Sequence, residues 1–192
     1  RKQTEQEISE RADQILSEGA SIIDVGAYST RPGATFVSEE EEMARMRYGL
    51  EIVRRAHPNA IVSIDTFRSS VASMSVNEFG ADIINDVSEG EADYTLFRTV
   101  AQLNVPYILM STKPTLRDMM VSFAQKVQQL RDLGVKDIIL DPGFGFGKTI
   151  EQNFCILSDM EKLRELELPI LVGISRKSMI FKTLECTPNE SL

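Results

Sequence analysis

Four polar residues stand where apolar runs end. Asp24, Asp65, Asn85 and Asp141 each close a short stretch of Ile, Val or Leu, as in Ile61-Val62-Ser63-Ile64-Asp65 and Ile138-Ile139-Leu140-Asp141. A carboxylate placed where a buried strand meets a loop can accept hydrogen bonds from the N–H groups of a ligand. Any one of them is equally well explained as a cap for the next helix or turn. Capping alone, however, does not require each of the four to follow an apolar run directly.

Cationic segments complement these acids. Gly173-Ile174-Ser175-Arg176-Lys177-Ser178 puts two cations and two hydroxyls after an apolar run and at a helix start, where backbone amides also favour anions. Ser29-Thr30-Arg31-Pro32-Gly33 puts a hydroxyl and a guanidinium on a loop beyond Asp24, a combination suited to phosphate or carboxylate oxygens. The segment from Pro142 to Thr149 ends in Gly147-Lys148-Thr149 like the phosphate loop G-x-x-x-x-G-K-[ST]. The first glycine of that pattern falls on Pro142, which has no amide hydrogen, so nucleotide binding is a low-weight alternative. The single histidine, His57, sits in Ala56-His57-Pro58 at a helix end and reads as structural, which leaves no histidine base. Cys155 and Cys186 lack metal-ligand spacing and read as reduced thiols.

Positioning these groups requires strands alternating with helices. Six short runs predict strands: Ser21 to Asp24, Ala60 to Asp65, Asp82 to Asp86, Val105 to Met110, Lys136 to Asp141 and Pro169 to Ile174. Gly19, Gly80 and Gly134 precede three of them, as suits the position just past a helix. Thr4 with Glu7, Ser38 with Glu41, and Thr149 with Gln152 have capping-box spacing. Ile8, Ala12, Ile15 and Leu16 form one apolar helical face, and Met43, Met46, Leu50 and Val53 another. Polar groups ending several different strands favour a closed barrel over an open doubly wound sheet, which gathers its site at one switch point. The fold class expected is therefore α/β, a TIM-type (β/α)8 barrel. Such barrels have eight strands in about 250 residues, so residues 1–192 are expected to form a single barrel domain truncated at both ends, without its first and last strands.

Composition narrows the partners. The chain is 42% apolar and 26% charged, with 21 Lys and Arg against 29 Asp and Glu, a formal charge of -8 that disfavours nucleic acid. Apolar runs such as Ile170 to Ile174 fall far short of the roughly 20 residues that span a bilayer, and no signal peptide is visible, so a cytoplasmic protein is expected.

Taken in order, Asp24-Val25-Gly26, Ser29-Thr30-Arg31-Pro32-Gly33-Ala34, Ser63-Ile64-Asp65-Thr66, Ile84-Asn85-Asp86, Asp141-Pro142-Gly143, Gly145-Phe146-Gly147-Lys148-Thr149 and Gly173-Ile174-Ser175-Arg176-Lys177-Ser178 resemble dihydropteroate synthase. That resemblance implies a TIM-type barrel of folate biosynthesis, a sulfonamide target, which joins 6-hydroxymethyl-7,8-dihydropterin diphosphate to p-aminobenzoate. It implies that Asp65, Asn85, Asp141 and Lys177 line a pterin pocket and that Thr30 and Arg31 lie at the diphosphate and aminobenzoate end. Ser178 would face the aminobenzoate carboxylate, and Asp24, Arg31 and Lys177 would carry the catalysis. It further implies Mg2+ on the diphosphate, a metal ligand in an opening loop not contained in this chain, and a homodimer when complete. One departure is visible: family members show a His-Met pair and a longer loop where Ser111-Thr112-Lys113-Pro114 runs almost directly into a helix. A methyltetrahydrofolate-dependent methyltransferase and a non-catalytic pterin-binding remnant are the rival readings.

Overall fold

A computed structural model of the chain describes residues 3–29 and 34–191. The order is α1 (Glu5–Ser17), β1 (Ile22–Gly26), α2 (Glu39–Ala56), β2 (Ile61–Asp65), α3 (Ser69–Phe79), β3 (Ile83–Asp86), α4 (Leu96–Leu103), β4 (Tyr107–Met110), α5 (Leu116–Asp132), β5 (Ile138–Asp141), α6 (Ile150–Ser158) and α7 (Ser178–Phe181). A 3-10 helix, Met160–Leu166, follows α6. Helix starts follow the expected side chains. Thr4 and Thr149 form reciprocal capping boxes with Glu7 and Gln152. Ser38 accepts from the Glu41 amide, but the Glu41 carboxylate turns instead to Arg45 at 2.8 Å, so that box is half formed.

All four strand pairings are parallel and run in the order β1-β2-β3-β4-β5. A doubly wound sheet reverses its strand order at a switch point, whereas a barrel wall does not. The fold is therefore a section of barrel wall with its helices on one side, as the distribution of polar residues predicts.

Register divides the strand residues between two faces, since neighbouring side chains in a strand point opposite ways. Val62, Ile64, Ile84, Leu109 and Leu140 belong to the face packed against the helices and are fully buried. Asp24 lies opposite Ser63, Asp65 sits between Gly26 and Asn85, and Asp141 pairs with Met110, all on the other face. The runs read as uniformly apolar thus hide an alternation, in which Asp24, Ser63, Asp65, Asn85 and Asp141 share one face.

Two details differ from the sequence expectation. Asp24 does not end its strand: β1 continues to Gly26, which sets Asp24 one layer deeper than Asp65. The sixth strand is reduced to a single bridge between Leu140 and Ile170. The Leu140 amide donates to the Pro169 carbonyl and Leu171 donates to the Leu140 carbonyl, after which the ladder calls for an amide at Pro142, which has none. Leu171, Val172 and Gly173, beyond the bridge, are exposed.

Asp86, next to Asn85, points to the helix face and is completely buried. It accepts hydrogen bonds from the Ser88 amide (2.8 Å) and hydroxyl (2.7 Å), the Gly90 amide (2.6 Å) and the Tyr107 hydroxyl (2.5 Å). These bonds fix the β3–α4 turn to β4. His57 caps α2 and pairs with Asp13 at 2.8 Å, at the end of the sheet where β2 begins. The two cysteines are free. Replacing Asp86 by Ala would leave buried donors unpaired, and is expected to lower unfolding free energy by about 3 kcal/mol or more. Urea denaturation of Asp86→Ala checks this, with Tyr107→Phe expected to lose less.

Candidate functional site at the C-terminal strand ends

At the ends of the strands, Asp65 and Asn85 sit side by side in register, and Asn85 Nδ2 reaches back to the Asp24 carboxylate at 3.3 Å. Gly26 leaves space for this: a Cβ there would lie 3.2 Å from Asp65 Oδ2. Asn85 Oδ1 is buried and has no hydrogen-bond partner among the described residues. A buried acceptor without a donor is costly in an isolated protein and is satisfied when a ligand N–H reaches it.

The electrostatics are those of a crowded acidic row. Burial pushes the Asp65 carboxyl up to about 7, reinforced by the charges of Asp24, Glu42 and Asp86. Burial also raises Asp24, partly offset by hydrogen bonds from Ser63 and Asn85. Asp141 is raised by burial and held back by the Gly143 amide, at 2.8 Å, and by the charges of Lys177 and Lys148. A site that raises its own carboxyls favours a ligand bringing hydrogen-bond donors or positive charge.

Lys177 lies across the β5 side of this row. Its ammonium sits 4.5 Å from the centre of the Phe146 ring, a cation–π contact. Phe146 was not among the residues singled out by sequence; aromatic position within a glycine-rich turn is a weak signal until the turn's path is known. Ser178 is exposed as the first residue of α7, a helix of four residues and too short for a strong terminal dipole. The anion preference read from that helix start is thus not supported by its length. Thr30 and Arg31 lie outside the described residues.

On the β2 side, Glu42 is completely buried and receives the Thr66 hydroxyl at 2.8 Å and Arg68 Nη1 at 2.5 Å. Arg68 also donates to the Val37 carbonyl at 2.9 Å and lies 5.4 Å and 5.3 Å from the ring centres of Tyr28 and Phe67. It therefore joins the chain on both sides of residues 30–33. In sequence, Glu42 was one of four glutamates opening α2, with nothing to mark it as the buried one.

Lys148 does not behave as a phosphate-loop lysine. Its ammonium turns back to donate to the carbonyls of Ser111 (2.8 Å), Gly143 (3.0 Å) and Phe146 (3.3 Å). Burial lowers its pKa to about 8, against the pull of Asp141 and Glu89. Mg2+ calls for several oxygen ligands, and among the described residues no three His, Cys, Asp or Glu side chains gather to hold a metal. No described helix is long and apolar enough to cross a membrane.

Comparison with known proteins decides the family. The sequence pattern of the pterin binding enzymes matches residues 1–191. A dihydropteroate synthase of Clostridium beijerinckii is 40% identical over 187 residues, covering 93% of this chain and 69% of the relative. The chain belongs to the dihydropteroate synthase family. Solved family members superpose on it closely. The enzyme from Clostridium difficile, crystallised in the presence of pteroic acid, is 31% identical with a TM-score of 0.89, covering 95% of this chain and 72% of that one. The Yersinia pestis enzyme in a sulfonamide drug complex is 31% identical with a TM-score of 0.90, covering 98% and 73%. Five strands in barrel order agree with this dihydropteroate synthase fold.

The raised Asp65 carboxyl has a measurable consequence. Its pKa is higher folded than unfolded, so folding takes up a proton between the ordinary value of 3.8 and about 7, and stability falls as pH rises through that window. Asp65→Asn is expected to remove this loss, gaining about 1–3 kcal/mol relative to the unsubstituted protein at pH 8 and little at pH 3. Urea unfolding at both pH values tests it; parallel pH dependence in the two proteins would count against the assignment.

Proposed function

We propose that this chain carries the pterin pocket of a dihydropteroate synthase, which condenses 6-hydroxymethyl-7,8-dihydropterin diphosphate with p-aminobenzoate to give 7,8-dihydropteroate and pyrophosphate. The observation that carries the reading is the row of Asp65 and the donor-starved Asn85, flanked by Asp141 and Lys177. A pterin presents an amino group and a ring N–H side by side, a paired donor edge that a carboxylate such as Asp141 accepts at two points. Asn85 Oδ1 takes a further ring N–H, and the Lys177 ammonium donates to ring acceptors.

In the reaction the aryl amine attacks the exocyclic methylene of the pterin. The C–N bond forms, the C–O bond to the diphosphate breaks, pyrophosphate leaves with the bonding pair, and the amine proton is released to solvent or a nearby base. An aryl amine is barely basic, so its lone pair is available at neutral pH and no histidine is needed. The harder event is loss of the leaving group. Thr30 and Arg31 serve the diphosphate and aminobenzoate end, Ser178 meets the aminobenzoate carboxylate, and the Asp24 carboxylate contributes negative field near the methylene as positive charge develops there. Mg2+ on the diphosphate would supply charge neutralisation for the leaving group, held by the phosphate oxygens themselves, since no cluster of described side chains gathers to bind it. A cytoplasmic homodimer belongs to the same reading.

The full-length protein is expected to release pyrophosphate only when both the pterin diphosphate and p-aminobenzoate are supplied with Mg2+; release with ATP alone, or none with all three components, would refute the reading. Asp141→Ala and Lys177→Ala are each expected to weaken pterin binding by about 10–100-fold while preserving the fold. Titration calorimetry with a pterin ligand, alongside circular dichroism, makes that comparison.

A further inference from the structure

The turn between β5 and α6 is rich in glycine, and it carries Phe146. Gly143, Gly145 and Gly147 all have positive φ, so the turn has little intrinsic rigidity. Two side chains hold it from outside. Lys148 joins the Gly143 and Phe146 carbonyls to the carbonyl of Ser111, just past β4. Asn153, buried on α6, accepts from the Gly145 amide at 2.8 Å and donates to the Thr149 carbonyl at 2.7 Å. The fit is close: a Cβ at Gly143 would fall on the Ser111 oxygen, and one at Gly145 would lie 3.1 Å from Lys177 Cδ. The turn so fixed supports the Lys177 stem at Gly145 and presents the Phe146 ring to its ammonium.

We propose that Lys148 is a positioning residue for pterin binding, setting the 143–147 turn so that Phe146 holds the Lys177 ammonium over the pocket. This rests on the function proposed above and assigns a task to the Gly147-Lys148-Thr149 motif that nucleotide binding does not supply. Lys148 itself touches no substrate in this role. It acts through the turn.

A double-variant cycle in the full-length protein tests this, with Lys148→Met keeping the length of the stem. Two quantities are read: equilibrium binding of 6-hydroxymethylpterin, and KM and kcat for the pterin diphosphate. Lys148→Met is expected to weaken pterin binding about tenfold and to raise KM more than it lowers kcat, with Phe146→Leu acting in the same direction. The double variant should bind no more weakly than the worse single one. Additive losses would mean that Lys148 acts independently of Phe146, for example through its charge on Asp141, and would overturn the proposal, as would unchanged binding in Lys148→Met. Should Lys148→Met fail to fold, Asn153→Ala loosens the same turn and is expected to show the same non-additivity with Phe146→Leu. An unsubstituted protein that binds pterin but forms no product fails the proposed reaction and leaves the cycle decisive. One that binds no pterin overturns both.

Discussion

Parallel pairing in sequence order is the constraint on which everything at the polar edge depends. Strands that all run one way must each be followed by a return crossover, so all their C-terminal ends lie on one side of the sheet. Residues separated by some 40 positions or more along the chain, Asp24, Asp65 and Asp141, are thereby brought to one edge and one face. The helices that make the returns bury the other face, and the burial of Val62, Ile64, Ile84, Leu109 and Leu140 keeps the register from slipping. A slip by one residue would exchange Asn85 for Asp86. It would send the structural carboxylate to the polar face, and into the core the amide whose oxygen is unpartnered among the described residues.

Much of this was legible in the sequence, because strand ends and helix starts have local signatures. The alternation of elements, the barrel class, and the placing of Asp65, Asn85 and Asp141 at the strand ends all follow from short apolar runs and their terminating residues. What local pattern does not contain is which side chain turns inward from a helix. Glu42 is chemically identical to its neighbours Glu39, Glu40 and Glu41, and only the packing of α2 over β2 selects it to bury against Arg68. Lys148 presents the same difficulty in reverse. Its motif suggested an anion, but the carbonyls nearest it belong to residues 111, 143 and 146, a grouping that exists only after β4 and β5 have paired.

The site is held at some expense of stability. Three carboxyls are raised together, one to about 7, in a setting where a ligand-free protein gains nothing from their proximity. Such conflicts persist where function requires them and are offset elsewhere. Here the offset is visible beside the site: Asp86 accepts four hydrogen bonds on the helix face of the same strand, directly behind the row it helps to charge.

Pro142 illustrates how a single missing hydrogen can shape an edge. Because the ladder cannot proceed past the bridge at Leu140 and Ile170, the two backbones are released from one another as they approach the polar end. One path then curls into the glycine turn that bears Phe146, and the other runs on to Lys177. A continuous ladder would have zipped these paths together at the spacing of adjacent strands. The imino acid unfastens them instead, so that aromatic ring and ammonium meet through their side chains, as two banks joined by a bridge rather than by a seam.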